Sequence, residues 1–599
     1  FRQSFPPPSP LRENAMACQK KPAPGSILVL GPMPLKAAPQ THIAAGPWCF
    51  AEREDFFPDW EENYLFAPDP LLDRNEEDRL IREAETLAAD VIPRLSGELQ
   101  PDTPLPDAYW ETLLAPFTIT VAKLIAQFWS LIRHTVDTWK EIPLTVELLP
   151  RNCSFTFGTD ADVVLHGSLN PVCCQWILSQ LLRPVLPEAW KGRELESVSE
   201  EYVQSPASDF RKNVHDTLRS LMLHMPFPRM KGMTLKQALS YSSSLLHPSR
   251  YGDRSRSLKE TFSSSSGCTA PDLPLDCGFI FSAMLPRSVK ELRHPHSAPR
   301  RMFKPRVRAA SIIAYEDAAY RQKLAIWRAR GGRLLYVQHG GNYGQMKRIC
   351  AMEFVEYTQH AFATWGWTEY EGSMGRKAGK GNFIPLPYPQ LNRLRDAWHG
   401  QESQTLIAVG TEMPTVAYQL DSHPTPSQFI QYRDDKQWFF EALGPAIREK
   451  TLYRPYFPVP GTLQDAQWIL PRFPHVHLCS GPLEPQILSC RLLVLDHHGT
   501  TLLEAMAANI PTVCYWNPEF WPVTGEFADI LSRMKPLGMW NSSAEEAAIK
   551  VRAVWDDPSG WWSSREVQNV RDEFLRHFAL LPRNTAAGDR AWKDALSQL

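Results

Sequence analysis

A chain of 599 residues exceeds what one hydrophobic core organises, so two or more domains are expected. With 43% hydrophobic residues it has the make-up of a globular protein, and 64 Lys+Arg against 66 Asp+Glu leave a net charge of -2. That balance excludes the chain-wide basic field of a nucleic-acid binder, while leaving room for a local site that holds a nucleotide-sized anion.

Eleven cysteines are scattered without paired metal spacing, and Cys173-Cys174 would make a poor disulfide framework. This favours a reducing, cytoplasmic setting. The most apolar run, 117–132, is interrupted by Lys123 and Gln127 and reads as a buried helix rather than a membrane span. Residues 1–24, Pro-rich and opening on Phe1, read as a disordered or artefactual start.

From Gly25 the chain reads SILVLGPMP, a strand entering a turn of an α/β domain. Residues 74–95 predict a solvated amphipathic helix, and 109–139 one or two buried helices, together an extra helical portion. Residues 242–266 are serine-rich and basic, which predicts a mobile insertion or long loop. Residues 278–285 (GFIFSAML) predict a strand. Then 310–314 reads as a strand, Tyr315-Glu316-Asp317 as its carboxyl end, 318–330 as a helix, 333–337 as the next strand, and Gln338-His339-Gly340-Gly341 opens a glycine-rich turn. Two adjacent strand ends would present Glu316, Asp317 and His339 to one crevice. An acid there is also a common helix N-cap, and His339 could equally be a satisfied turn histidine.

Linker composition at 385–404 predicts a domain change, giving an N-terminal domain over 25–395 and a C-terminal domain over 396–599. TLIAVGTEMP then starts a fresh strand and a turn with Gly410 and Thr411, and Arg454 follows a short strand; its fork suits a phosphate or carboxylate. The central stretch is LLVLDHHGTTLLEAMAANIPTVCYW at 492–516: strand, turn, helix, strand. Gly499 lets backbone approach a ligand, and the free N–H groups of a helix opening on Thr500-Thr501 suit a phosphate. Glu504, one turn on, is placed to reach a ribose. An ordinary capped βαβ unit has the same residue pattern. Adjacent histidines, His497-His498, seldom grip one ion, so no metal site is expected. The chain has no G-x-S-x-G, no G-x-x-x-x-G-K and no G-x-G-x-x-G after the first strand, which removes the usual support for hydrolase, NTPase and dehydrogenase readings.

Two α/β domains, a phosphate-binding helix start in the second and acidic candidates in the first look like a GT-B glycosyltransferase, two Rossmann-like domains facing a cleft. The motifs Tyr336-Val-Gln338-His339-Gly340-Gly341-Asn-Tyr343-Gly344, Thr364-Trp365-Gly366-Trp367, His498-Gly499-Thr500-Thr501-Leu-Leu-Glu504 and Trp561-Trp562 with Gln568-Asn569 resemble Leptospira-type surface-carbohydrate transferases, a family similar to retaining β-Kdo transferases. The resemblance implies transfer of a Kdo-like or nonulosonic acid from a CMP-activated donor to a surface glycan or glycolipid. No tightly bound cofactor is implied, divalent-metal dependence stays open, nucleic acid is not a partner, and peripheral association with the inner face of the cytoplasmic membrane fits. Carried over, Gly499, Thr500 and Thr501 would hold the CMP phosphate, with His498 in the donor-binding set. Glu504 would hold the ribose and Arg454 the phosphate or sugar carboxylate. Gly410 and Thr411 would line the crevice. Asp317 would be the nucleophile with Glu316 behind it, His339 an orienting or acid/base group, and Gln338, Gly340 and Gly341 the glycine-rich loop. Related transferases carry His-Pro where this chain has Arg454-Pro455, which leaves the donor open. A nucleotide-sugar epimerase of related fold and a non-catalytic scaffold of a glycan assembly complex are the alternatives.

Overall fold

The computed structural model describes residues 21–100, 104–203, 225–268, 270–370 and 383–599. The Pro-rich start up to residue 20 lies outside them. The fold is mixed α/β, built on parallel sheets with many helices. In the first sheet, β1 (Ile27–Val29), β2 (His42–Ala44), β3 (Leu65–Phe66), β4 (Thr145–Leu148) and β6 (Lys191–Glu194) lie in the order β3-β2-β1-β4-β6, while β5 (Ser154–Phe157) pairs separately with β7 (Ser199–Tyr202). The second sheet holds β8 (Val307–Ala310), β9 (Arg333–Val337), β10 (Ala361–Thr364) and β11 (Phe383–Pro385) in the order β11-β10-β9-β8. The third is β12 (Leu406–Val409), β13 (Thr451–Arg454), β14 (His477–Leu478), β15 (Leu492–Leu495), β16 (Thr512–Tyr515) and β17 (Trp540–Asn541), in the order β14-β13-β12-β15-β16-β17. Strands β9, β12, β15 and β16 are buried along their whole length, as parallel strands covered on both faces must be.

The helical portion is a hairpin inserted between β3 and β4. Its helix Arg74–Leu99 starts on the Asp73 carboxylate, which accepts from the Asn75 N–H at 2.9 Å. This helix is not the solvated one its charges suggested: Glu77, Glu83 and Glu85 are buried, the first two paired with Arg74 and Arg79. The second helix, Asp107–Trp139, is long and apolar enough by length and composition to cross a membrane, yet 89% of its apolar window is buried inside the protein. Arg321, fully buried, ties this hairpin to the second sheet by donating to the Leu113 and Ala314 carbonyls and, at 2.9 Å to each oxygen, to the Asp160 carboxylate.

Two of the expected strands also differ from expectation. Residues 278–284 form a helix, not a strand: Ile280, Phe281 and Met284 fall on one helical face, and the Asp276 carboxylate caps the turn by accepting from the Gly278 N–H at 2.9 Å. The strand expected at 310–314 ends at Ala310, and Ile313–Glu316 is already helical. The serine-rich stretch is tied down rather than free, through the helix Leu258–Phe262 and through hydrogen bonds from Ser257 to Glu111 and from the Ser264 N–H to Asp90. At the other end of the chain, helix Thr585–Gln598 crosses back onto the second sheet. There Trp592 stacks on Tyr241 and donates to the Pro387 carbonyl at 2.7 Å.

Candidate functional site

In the third sheet the strand order reverses between β12 and β15, so the chain leaves these two neighbours in opposite directions and opens a crevice at their carboxyl ends. Gly410, Thr411 and Glu412 follow β12; Asp496 to Gly499 follow β15 and lead into the helix Thr500–Ala508. A cavity of about 360 Å³ occupies the crevice, lined by Gly410, Thr411, Glu412, His497, Gly499, Thr500, Thr501 and, from the end of β13, Arg454. Gly499 is the N-cap and offers no side-chain cap, so the first N–H groups of the helix are left to whatever fills the cavity. The helix closes at Asn509 in a left-handed conformation, whose side-chain oxygen accepts from Trp562 at 2.8 Å and Gln568 at 3.1 Å. This explains why a Trp-Trp and Gln motif accompanies the helix from 53 and 59 residues away.

The glycine-rich turn after β9 forms the opposite wall, where Asn342 and Met346 reach the cavity. The Gly341 N–H donates to Thr500 Oγ1 at 2.8 Å, and a Cβ on Gly341 would stand 2.4 Å from the Thr500 nitrogen, so only glycine fits. Behind the turn, His339 Nε2 lies 2.6 Å from the Tyr343 hydroxyl and 3.2 Å from Glu356 Oε1, with Glu356 fully buried. The Gln338 side-chain oxygen accepts from the Trp365 N–H at 2.9 Å and from Trp367 Nε1 at 3.0 Å, clamping the Thr364-Trp365-Gly366-Trp367 turn. Across the seam, Thr524 donates to the Gly344 carbonyl at 2.8 Å.

Beneath the cavity floor sits a buried charge network. Lys436, 1% exposed, pairs with Asp465 and, at 3.3 Å, with Asp496. Burial works against its ammonium, but the two carboxylates hold its pKa above the ordinary lysine value. Burial likewise opposes ionisation of Asp496, and Lys436 and His497 together hold its carboxyl below the usual range. Asp496 Oδ1 in turn lies 2.9 Å from His497 Nδ1. Glu412 is the opposite case: burial pushes its carboxyl up to about 7, with Tyr418 Oη at 3.3 Å the main opposing contact.

Of the residues singled out in the sequence, Gly410, Thr411, Arg454, Gly499, Thr500 and Thr501 therefore meet around one cavity. Arg454 is also held by the Cys479 and Gly481 carbonyls, at 3.0 and 2.7 Å. Others lie elsewhere. His498 is buried against Trp516, Trp521 and Phe527, and burial keeps its ring neutral, down to about 3. Glu504 pairs with Lys231 at 3.2 Å beyond the cavity lining. Asp317 caps the helix Ala318–Ala329, accepting from the Tyr320 N–H at 2.9 Å. Glu316 is exposed and borders a separate cavity of about 290 Å³ with Pro116, Thr120 and Asp160. The strands that precede Glu316-Asp317 and His339, β8 and β9, are neighbours, but neither acid lies on a strand end and neither lines the crevice of the third sheet. Sequence reasoning passed over Glu412, in the same turn as Gly410, and weighed His497 only as a metal ligand. Among the described residues no group of three or more His, Cys, Asp or Glu is arranged to hold a metal ion.

No curated protein matches the chain. The profile of one family does, over residues 26–596, nearly the whole chain and every strand among the described residues. The chain therefore belongs to the LIC12162 family of transferases.

Proposed function

We propose that this transferase is a glycosyltransferase of GT-B type that moves a Kdo-like or nonulosonic acid from a CMP-activated donor to a glycan or glycolipid acceptor. The observation that carries the reading is the cavity at the switch point of the third sheet, where an uncapped helix start, Gly410, Thr411 and Arg454 converge. Backbone N–H groups at a helix start, two threonine hydroxyls and a guanidinium suit the phosphate of a nucleotide-sugar. The facing glycine-rich turn and the C-terminal helix that returns to the second sheet suit a two-sided cleft. Glu504 is assigned to the ribose, which requires its carboxylate to exchange Lys231 for the sugar hydroxyls. Asp317, with Glu316 beside it, is assigned as nucleophile of a retaining transfer, which requires its carboxylate to exchange its cap on Tyr320 for the sugar. His339 is assigned to orienting a reacting group. The ten described cysteines are all free thiols, which supports a reducing compartment, and we place the enzyme at the inner face of the cytoplasmic membrane.

The test is calorimetry and thermal shift of the full chain with CMP, CDP, UMP, UDP and GDP. Binding confined to cytidine nucleotides is expected. A preference for UDP would move the reading to an epimerase or hexosyltransferase, and binding of none would favour the scaffold. Unchanged turnover of a CMP-sugar by Asp317→Ala would end the nucleophile assignment.

A further inference from the structure

Three histidines lie around the crevice, and the structure separates them. His423 is buried, its Nε2 2.8 Å from the Gln419 side-chain oxygen, and burial pulls it down to about 4. His498 points into the aromatic core and is neutral. His497 alone combines a cavity-lining ring with a carboxylate behind it. Asp496, kept ionised by Lys436, can only accept, so His497 Nδ1 carries the hydrogen of the 2.9 Å contact and Nε2 is the free nitrogen. The position of Nε2 is marked by Gly499: a Cβ added there would lie 3.0 Å from it. The free nitrogen is thus beside the open helix start, where an anion would sit. A base held in orientation by a buried acid, which is itself anchored by a lysine, is the arrangement used to present an imidazole to a reacting atom.

We propose that His497 is a catalytic residue of the transfer, donating from Nε2 to the phosphate oxygen of the departing nucleotide. The inference rests on the nucleotide reading of the cavity. When the bond between the anomeric carbon and the phosphate oxygen breaks, its electron pair stays on that oxygen. The imidazolium gives up its Nε2 proton there and becomes neutral while the anomeric carbon bonds to the Asp317 carboxylate; the acceptor hydroxyl then displaces Asp317 from that carbon and releases the proton that restores the imidazolium through solvent. In the balance the hydroxyl proton ends on the nucleotide. Asp496 contacts His497 directly with Lys436 behind it, His498 adjoins it on the core side, and Arg454, Glu412, Tyr456 and His423 are the charged or titratable residues that line the same cavity. Of these, Glu412 is the competing source of a pH dependence, because its ionisation would repel the same anion.

The experiment is calorimetric titration of the full chain with CMP between pH 6 and 8.5, for wild type, His497→Asn and Glu412→Gln. Asn keeps a donor towards Asp496 but has no counterpart of Nε2, and melting curves check that the variant is folded; His497→Gln serves instead if it is not. Wild-type affinity should fall at least fivefold more steeply with pH than that of the variant, which should bind about tenfold more weakly at pH 6. The ionisation of CMP itself is common to all three proteins and cancels. A wild-type slope in His497→Asn, or a slope abolished by Glu412→Gln alone, overturns the proposal while leaving the nucleotide site intact. No CMP binding by the wild type at any pH overturns both.

Discussion

The Gly341 N–H donates to Thr500 Oγ1 at 2.8 Å, joining the glycine-rich turn of the second sheet to the helix start of the third. The contact leaves no space: a methyl group on Gly341 would meet backbone atoms of both Gly499 and Thr500. Gly341→Ala should therefore force the two walls of the crevice apart. Expected are a stability loss of about 1–3 kcal/mol, typical of overpacking, and CMP affinity weakened at least tenfold in calorimetry. Gly340→Ala is the control, since a Cβ there would approach Thr500 Oγ1 only to 3.4 Å. Equal effects of the two would disprove the close-approach argument.

Thr501 lines the cavity without that contact, so its hydroxyl can be tested apart from the seam. Thr501→Ala should leave the melting temperature within about 2 °C of wild type and weaken CMP at least threefold. Unaltered affinity would remove Thr501 from the proposed phosphate site.

Glu412 makes a prediction about stability and pH. Its carboxyl titrates at about 7 in the folded protein against a reference of 4.5. The folded state thus holds the proton more tightly, and the contribution is fully present below pH 4.5 and lost as pH rises through 7. With 1.36 kcal/mol per unit, the loss is on the order of 3 kcal/mol. Glu412→Gln cannot ionise and should melt relatively higher than wild type at pH 8 than at pH 5. Asp421, also pushed by burial to about 7, acts in the same direction in both proteins and drops out of the difference.

Lys436 compensates two buried carboxylates at once, Asp465 and Asp496. Lys436→Met has a similar volume but leaves Asp465 without a cation and Asp496 with His497 alone, and should cost about 3–5 kcal/mol at pH 7. Part of that loss should return near pH 5, where Asp496, no longer held down by the lysine, can take up a proton. A denaturation series at the two pH values decides it, and a pH-independent loss would mean that packing alone was removed.

His498 separates a sequence neighbour from a functional one. It touches Trp516, Trp521 and Phe527 and not the cavity. His498→Phe should keep CMP affinity within twofold. Its neutral ring is a further acid-sensitive feature: with its pKa held below 6.5, the stability it contributes is present above pH 6.5 and lost as pH falls towards 3. The phenylalanine variant should consequently lose less stability on acidification, as followed by thermal melts between pH 7 and 4.

What the sequence by itself determined is local. The apolar run at 492–495, the glycine at 499 and the threonines after it specify a strand, a turn and an uncapped helix start, because hydrophobic period, backbone freedom and helix-end chemistry are properties of neighbouring residues. The glycine-rich turn after β9 was legible for the same reason. The short apolar run GFIFSAML does not by its residue types alone separate a strand from a helix; the Asp276 carboxylate that caps it as a helix lies just before it in the chain and is itself paired with the distant Arg94. Only the tertiary structure decided which of these pieces share a site. Strand order places Gly410 and Glu412 beside His497, burial turns Glu412 into an acid near neutrality, and Lys436 reaches Asp496 from 60 residues away. The same step decided that Asp317 caps a helix and that His498, one position from His497, faces the core. Along a chain those two histidines are equivalent; a turn that sends adjacent side chains to opposite sides makes one a cavity wall and the other packing.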